Sequence, residues 1–223
     1  VPVRVADDYL GDYTSGFGED DDIADYVAAL NWIVANHPPG TPGVVSDSWT
    51  VRVPADRPAE ATQLQNAVQA VIDAGLTYVA FGGNFKAQPY WIPAIMPDVI
   101  TVGGTDATDA LFDWGTLGSN FGPYIDMFTP ADDIHTTGHT SDTDVSTTAG
   151  ATSSATPIAA GLVALLLEQN PSMTPATVKQ VLQGQATKGA LTVPAGTVNL
   201  LGYSLASTDQ WTQVDEVAPP FVL

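Results

Sequence analysis

The chain of 223 residues has no cysteine, and its 6 lysine and arginine residues stand against 25 aspartate and glutamate residues. The lack of cysteine excludes disulfides, thiolate metal sites and a cysteine nucleophile. The formal net charge of −19 excludes nucleic acid and disfavours an anionic membrane surface as partners, because both need clustered basic side chains. No apolar run reaches the roughly 18 residues of a transmembrane helix. Hydrophobic residues nevertheless make up 44% of the chain, which allows a substantial globular core.

The acidic residues are 21 aspartates and only 4 glutamates, and charged residues together make up 14% of the chain. A halophilic surface would carry more charge in total, so this composition indicates the acidic but otherwise neutral surface of a secreted protein. The start at Val1, without methionine or a signal-like segment, leads us to expect a processed form. Because the net charge repels itself at neutral pH, we expect mildly acid solution to favour the compact state.

Short apolar runs alternate with helical patterns along the chain. The runs are rich in β-branched and aromatic residues and lack alternation, as is typical of parallel strands covered on both faces; they lie at 1–5, 44–48, 77–81, 99–102 and 125–128. Helices are predicted at 22–36, 58–74, 153–170 and 174–184, the last with Thr174 as its N-cap. This order predicts an α/β fold, a doubly wound, mostly parallel sheet with helices on both faces. One domain is predicted for 1–206, followed by an irregular tail at 207–223.

Two segments place polar side chains where nucleophilic chemistry needs them. In 150–162, GATSSATPIAAGL, Thr152 is placed as a helix cap and Ser153 in the first turn of a buried helix. A hydroxyl there meets free N–H groups and the positive end of the helix dipole, which suits a nucleophile that generates an anion. In 78–84, YVAFGGN, a strand runs into a Gly-Gly turn from which Asn84 can donate to an oxyanion. Taken alone, each segment favours an ordinary helix start or turn.

Together these segments resemble the subtilisin-like serine peptidases, or subtilases, and in particular their proteinase K-like branch. Matching segments follow the family's order and cover roughly residues 1–203; they lie at 3–11, 29–36, 44–49, 80–84, 96–103, 151–161 and 196–201. The resemblance implies a serine endopeptidase domain with Ser153 as nucleophile, rather than Ser154, and Asn84 as oxyanion donor. The substrate-binding positions that it implies are Ser48, Trp49, Thr50, Phe81 and Gly82.

The catalytic Asp and His of the family have no counterpart among these matching segments. The strand with the Asp and the His-Gly-Thr-His helix precede the matched part of the family's domain, and neither motif occurs in this chain. Of its three histidines, His37 is expected to cap a helix, and His135 and His139 are expected in a polar loop whose rearrangement could bring His139 near Ser153. A serine hydroxyl without a base is a poor nucleophile, so we expect this subtilase-like, N-terminally truncated chain to be inactive or weak alone.

Four positions depart from the family's pattern. Ala151 replaces a glycine two residues before the serine, and Ile158 replaces a histidine after the Thr-Pro pair. Thr50 stands where a glycine leaves room for a substrate backbone, and Phe81 stands where a small residue lies near the first specificity pocket. The β-branched side chain of Thr50 is therefore predicted to obstruct strand pairing with a peptide.

One metal site is implied by the same resemblance. In the proteinase K branch an Asp carboxylate and two backbone carbonyls hold a calcium ion, and the matching groups here are Asp126 and the carbonyls of Pro97 and Val99. Oxygen-only ligation from a rigid turn suits Ca²⁺. The alternative is that Asp126 is a buried polar residue at a strand end. The chemistry itself requires no cofactor.

The partners expected for such a chain are a peptide or protein substrate, or an N-terminal chain that supplies the Asp and the His. The main alternative is a non-catalytic secreted protein of the subtilase fold with a binding or structural role. The face left bare by the missing elements predicts either covering by the chain termini or homo-oligomerisation. A third hypothesis, a sedolisin-like Ser-Glu-Asp peptidase that uses Asp21 and Asp25, is disfavoured because sedolisins have Asp where Asn84 stands. Those acids are explained as an ordinary acidic helix start.

Overall fold

The helices and strands follow the apolar runs of the sequence. The structure is a computed structural model, and it describes residues 21–50, 57–138 and 140–202. The helices are α1 (Asp21–Asn36), α2 (Pro58–Asp73), α3 (Thr152–Gln169) and α4 (Pro175–Gln185). The strands are β1 (Gly43–Asp47), β2 (Leu76–Phe81), β3 (Ile100–Thr105), β4 (Met127–Pro130), β5 (Ile134–Thr137), β6 (Val145–Ala149), β7 (Thr187–Lys188) and β8 (Leu200–Leu201). The predicted strand at 1–5 and tail at 207–223 lie outside the described residues, so the domain limits stay predictions.

The main sheet has the strand order β1-β2-β3-β4-β8-β7. Strands β1 to β4 pair in parallel, β8 is parallel to β4, and β7 is antiparallel to β8. Strands β2 and β3 are buried along their whole length, as continuous apolar strands are when helices cover both faces. The predicted α/β fold with a mostly parallel sheet is therefore confirmed.

The helices lie in two pairs on opposite faces of this sheet. On β2, Val79 packs into a core that contains residues of α3 and α4, whereas Tyr78 and Ala80 pack into the core of α1 and α2. Because successive side chains of a strand point to opposite faces, the two cores lie on opposite sides. None of the described helices combines the length and the apolar character needed to cross a membrane.

The predicted start of α4 is confirmed, since Thr174 is its N-cap and accepts a hydrogen bond from the Thr177 N–H. A second, two-stranded sheet has no counterpart among the predicted elements. It consists of β5 paired antiparallel with β6, with an irregular register between Ile134 and Thr136. Its two short strands offered no continuous apolar run from which to predict them. This hairpin leads the chain from β4 to the start of α3.

The carboxyl ends of β1 and β2 lie side by side, because these strands are parallel and Asp47 at the end of β1 pairs with Ala80. Ser48 and the turn at 82–84 therefore leave the sheet at the same edge. Ser48 donates a hydrogen bond to the Ser153 carbonyl at 2.8 Å, which brings the start of α3 to that edge as well. Crevices at the carboxyl ends of parallel strands are the usual ligand sites of such sheets.

Candidate active site

Ser153 is the second residue of α3, and its side chain is exposed. Within the described part of the chain, neither its hydroxyl nor its backbone N–H has a hydrogen-bond partner. The N–H is one of the unpaired donors of a helix start and lies at the positive end of the helix dipole. The hydroxyl of the next residue, Ser154, instead donates to the Gly150 carbonyl at 3.0 Å. Of the two serines, Ser153 therefore has the hydroxyl that is free to react.

A proline inside α3 determines what holds the Ser153 backbone. Pro157 has no N–H, so the carbonyl of Ser153, four residues earlier, lacks its usual partner within the helix. The hydroxyl of Ser48 replaces that partner at 2.8 Å. Two nearby carbonyls also accept hydrogen bonds from side chains. Thr156 Oγ1 donates to the Thr152 carbonyl at 2.8 Å, and Thr129 Oγ1 donates to the Ala155 carbonyl at 2.7 Å. The first turn of α3 is therefore fixed by hydroxyl groups rather than by the helix ladder alone.

Asn84 is joined to the first residue of α3. Its Oδ1 accepts hydrogen bonds from the Thr152 N–H at 3.0 Å and from the Thr152 hydroxyl at 2.6 Å, while Thr152 Oγ1 accepts the Gly83 N–H at 3.2 Å. The prediction that Thr152 caps α3 is wrong: Ala151 is the N-cap, it makes no side-chain cap bond, and the amide oxygen of Asn84 receives the helix N–H instead. With Oδ1 so engaged, the Asn84 Nδ2 group has no assigned partner among the described residues and is left to donate.

Ala151 has an unusual backbone conformation. Its φ is 64° and its ψ is 179°, a region that favours glycine because it has no Cβ. The conformation lets the Ala151 N–H donate to the Ala131 carbonyl at 2.6 Å. The alanine noted in the sequence at this position is thus held in a strained conformation immediately before the candidate nucleophile.

Neither described histidine, His37 or His135, makes a hydrogen bond with Ser153 among the described residues. His37 Nε2 lies 2.9 Å from the Thr41 carbonyl, in the turn before β1, and a Cβ added to Gly43 would lie 3.1 Å from the ring. His37 is therefore at the amino end of β1, roughly 16 Å from the end that Ser48 follows. Its ring contacts this turn, whereas its backbone N–H donates to the Ile33 carbonyl of α1 at 2.9 Å, so the predicted contact with the C-terminal end of that helix is made by the backbone and not by the ring. His135 is exposed in β5, and His139 lies outside the described residues.

Comparison with known proteins decides the family. A family model described as the subtilase family matches residues 13–204. This chain belongs to the subtilase family. It is 32% identical over 184 residues to the alkaline serine exoprotease A of Vibrio alginolyticus, and the match covers 82% of this chain and 32% of that protein. It is 34% identical over 187 residues to the extracellular serine proteinase of Thermus sp. (strain Rt41A), with coverage of 83% and 40%.

A solved structure agrees with this subtilase assignment. A cold adapted subtilisin-like serine proteinase matches with a TM-score of 0.69 and 29% sequence identity, covering 83% of this chain and 62% of that chain. The subtilase chain spans 32% and 40% of the length of the two named relatives. Its fold is therefore that of subtilisin-like proteinases, over part of their length.

The three predicted substrate-binding residues after β1 differ in exposure. Ser48 is exposed, whereas Trp49 is half-buried and packs against the core of α1 and α2. Thr50 is buried, and its hydroxyl donates to the Ile92 carbonyl at 2.8 Å. The side chain of Thr50 is thus turned into the subtilase fold, and the predicted obstruction of a peptide stays a prediction.

The other two predicted substrate-binding residues are engaged within the protein. Phe81 is buried and stacks on Trp91 with ring centroids 6.3 Å apart. The Gly82 N–H donates to the Val102 carbonyl at 2.7 Å, and the Gly82 carbonyl accepts from Asn120 Nδ2 at 2.8 Å. The Trp91 ring lies so close to the next residue that a Cβ on Gly83 would be 2.1 Å from it. The tryptophan therefore occupies the space beside the turn, which the sequence did not indicate.

A buried carboxyl beside this edge was also missed by sequence reasoning. Asp47 accepts hydrogen bonds from the hydroxyls of Tyr26 and Tyr78, the latter at 2.7 Å, and from the Trp49 N–H at 3.0 Å. Burial raises the pKa of Asp47 to about 6, and these three hydrogen bonds oppose the shift. Burial also raises the pKa of both tyrosines. An aspartate inside the apolar run at 44–48 was the signal that could have found this group.

The three predicted calcium ligands do come together, but around an amine. Lys179 Nζ of α4 lies 2.8 Å from Asp126 Oδ1 and donates to the carbonyls of Pro97 and Val99, each at 2.8 Å. Because the Lys179 amine lies among these three oxygens, the position does not fit a bound calcium ion. In the part of the chain that the structure describes, no cluster of three or more His, Cys, Asp or Glu residues could hold a metal ion.

Proposed function

We propose that this chain is the serine-bearing part of a subtilisin-like serine endopeptidase, in which Ser153 attacks the peptide carbonyl and Asn84 stabilises the oxyanion. The observation that carries the proposal is the pair of hydrogen bonds from Thr152 to Asn84 Oδ1. They hold the carboxamide against the helix turn of the serine and leave Nδ2 as a donor. Acyl transfer needs such a preorganised donor beside the nucleophile.

In the proposed reaction the Ser153 oxygen adds to the peptide carbon, and the carbonyl oxygen becomes an anion that Asn84 Nδ2 and the Ser153 N–H stabilise. The serine proton must pass to a base and then to the leaving amine. Neither described histidine hydrogen-bonds to Ser153, and the family's Asp and His motifs do not occur in this sequence, so we expect the base and its orienting acid to come from an N-terminal segment or chain. As this chain alone, the protein is expected to be inactive or weak.

The proposed substrate is a peptide or protein that lies along the end of β1. Ser48, Trp49 and Thr50 would border its backbone, and Phe81 and Gly82 would adjoin its first side chain. Among the described strands β1 forms one edge of the sheet, so it can accept another strand, whether from a substrate, from the Asp- and His-bearing segment or from a second copy of the chain. Two relatives are named as an exoprotease and as an extracellular proteinase, which supports a secreted location.

Labelling with a fluorophosphonate probe tests the proposal. Intact mass spectrometry of the native material first shows whether a longer or second chain accompanies the 23.2 kDa polypeptide. In native material that contains the Asp- and His-bearing part, the probe should modify Ser153, the label should disappear in Ser153→Ala, and it should remain in the matched variant Ser154→Ala. Native material that consists of the 23.2 kDa chain alone, that contains the other part but fails to react at Ser153, or that is labelled equally at Ser154, would sink the peptidase proposal.

A non-catalytic binding or structural protein is the second candidate. It is favoured because groups beside the turn are already engaged within the protein. Both the N–H and the carbonyl of Gly82 form hydrogen bonds to other residues of the chain, and the Trp91 ring lies against Gly83. An unreactive Ser153 in otherwise folded native material would support this candidate.

A further inference from the structure

The Lys179 amine has the contacts of a fully bound ammonium ion. An ammonium has three N–H donors, and Lys179 Nζ finds three oxygens at 2.8 Å: the carbonyls of Pro97 and Val99 and Oδ1 of Asp126. The side chains of Lys179 and Asp126 are 18% and 17% exposed, so water screens this pair only partly. The amine connects α4 to the segment before β3 and to the residue before β4.

The dimensions and chemistry of this position suit an amine better than a metal. Calcium binds 6–8 oxygens at about 2.3–2.6 Å, whereas the three oxygens here lie at hydrogen-bond distance. The remaining neighbours of the carboxylate are donors. The Thr101 N–H donates to Asp126 Oδ2 at 2.9 Å, and Gln183 Nε2 donates to Oδ1 at 3.2 Å.

We propose that the Lys179 ammonium is a covalently attached cation that does the work of a structural metal ion at these three oxygens, and that the position binds Ca²⁺ only when this ammonium is removed. One positive charge on the lysine balances the one carboxylate of Asp126. Shortening the side chain would leave the two carbonyls and the carboxylate facing a cavity that water and a divalent ion can fill.

Thermal unfolding of Lys179→Ala in chelator and in millimolar Ca²⁺ tests the proposal. The matched control is Lys188→Ala, which removes an exposed lysine of β7. In chelator, Lys179→Ala should lower Tm by about 6–12 °C, the shift expected when one partner of a partly buried ion pair is removed from a chain of this size. Ca²⁺ should restore most of that loss, while the wild type and Lys188→Ala should respond to Ca²⁺ equally.

The double variant Lys179→Ala/Asp126→Asn tests whether the Asp126 carboxylate is the ligand of the added ion. It should lose the Ca²⁺ response, because the ion would then have two carbonyls and no charged oxygen. If Ca²⁺ fails to rescue Lys179→Ala, or rescues the double variant equally, the proposal is wrong.

The wild type alone provides a test that does not depend on a variant's folding. Acylation of Lys179 by an amine-reactive ester, followed by mass spectrometry with Lys188 as reference, should be slow and unchanged by Ca²⁺. Faster labelling of Lys179 in Ca²⁺ would show that the ion displaces the ammonium, which would overturn the proposal.

Discussion

The buried Asp47 carboxyl should make the stability of this protein depend on pH in a particular direction. Its pKa is raised from 3.8 to about 6 because burial disfavours the charged form. Ionisation is therefore harder in the folded than in the unfolded chain. The contribution to stability is fully present below pH 3.8 and is lost as pH rises through about 6.

The size of this effect follows from the shift. A change from 3.8 to about 6 is about 2 pKa units at 1.36 kcal/mol each, so the free energy of unfolding should fall by about 3 kcal/mol between pH 3 and pH 7. Asparagine stays neutral at this position. The difference in stability between Asp47→Asn and wild type should therefore shift by about 3 kcal/mol toward the variant over the same range.

Urea unfolding at several pH values, followed by tryptophan fluorescence, measures this difference. In Asp47→Asn the amide NH₂ group faces the Trp49 N–H or the tyrosine hydroxyls, which are donors too. This clash lowers the stability of the variant by the same amount at every pH. The informative quantity is therefore the change with pH of the stability difference between variant and wild type. Asp142→Asn, at an exposed aspartate, is the matched control and should show no such slope. A pH-independent difference for Asp47→Asn, or a slope of opposite sign, would refute the reasoning.

Three other substitutions probe the site. Ala151→Gly should raise the free energy of unfolding by about 1 kcal/mol in urea titrations, because glycine adopts its positive φ without strain; a loss would contradict this. Gly83→Ala should lower the free energy of unfolding by at least about 2 kcal/mol more than the control Gly75→Ala. Both glycines have positive φ, but only a Cβ at position 83 would meet the Trp91 ring. Equal losses of Tm would be inconsistent with this close contact. Ser48→Ala should lower the free energy of unfolding by about 1 kcal/mol. The loss should be smaller in the Pro157→Ala background, because the N–H of Ala at 157 can donate to the Ser153 carbonyl in place of the Ser48 hydroxyl. A double-mutant cycle that shows no coupling would exclude this exchange of donors.

The closeness of the Asn84 turn to the first turn of α3 could be predicted from the resemblance to the subtilases, although each segment alone favours an ordinary turn or helix start. A strand that runs into a Gly-Gly turn and a helix that begins with small hydroxyl residues are visible in the sequence, and parallel strands direct their carboxyl ends to one edge. The role of Thr152 could not be predicted in the same way. The group that receives its N–H comes from a residue 68 positions earlier.

The position of Lys179 could not be predicted for a related reason. A lysine in an amphipathic helix is most often solvated, and two of its three acceptors are backbone carbonyls 80 and 82 positions earlier. Backbone carbonyls have no sequence signature. The raised pKa of Asp47 likewise depends on its burial beside Tyr26 and Tyr78, which different elements bring to it.

We expect the start of α3 to form late in folding, because its hydrogen-bond partners lie far away along the chain. Side chains that hydrogen-bond to the first turn of α3 come from Ser48, Asn84 and Thr129, which are separated from their partners by 105, 68 and 26 residues. Closing such long loops is slow compared with winding a helix. The turn that carries Ser153 should therefore be held in place only after β1, β2 and β4 have assembled, so in an intermediate with an incomplete sheet the Ser153 backbone should not yet have a fixed position.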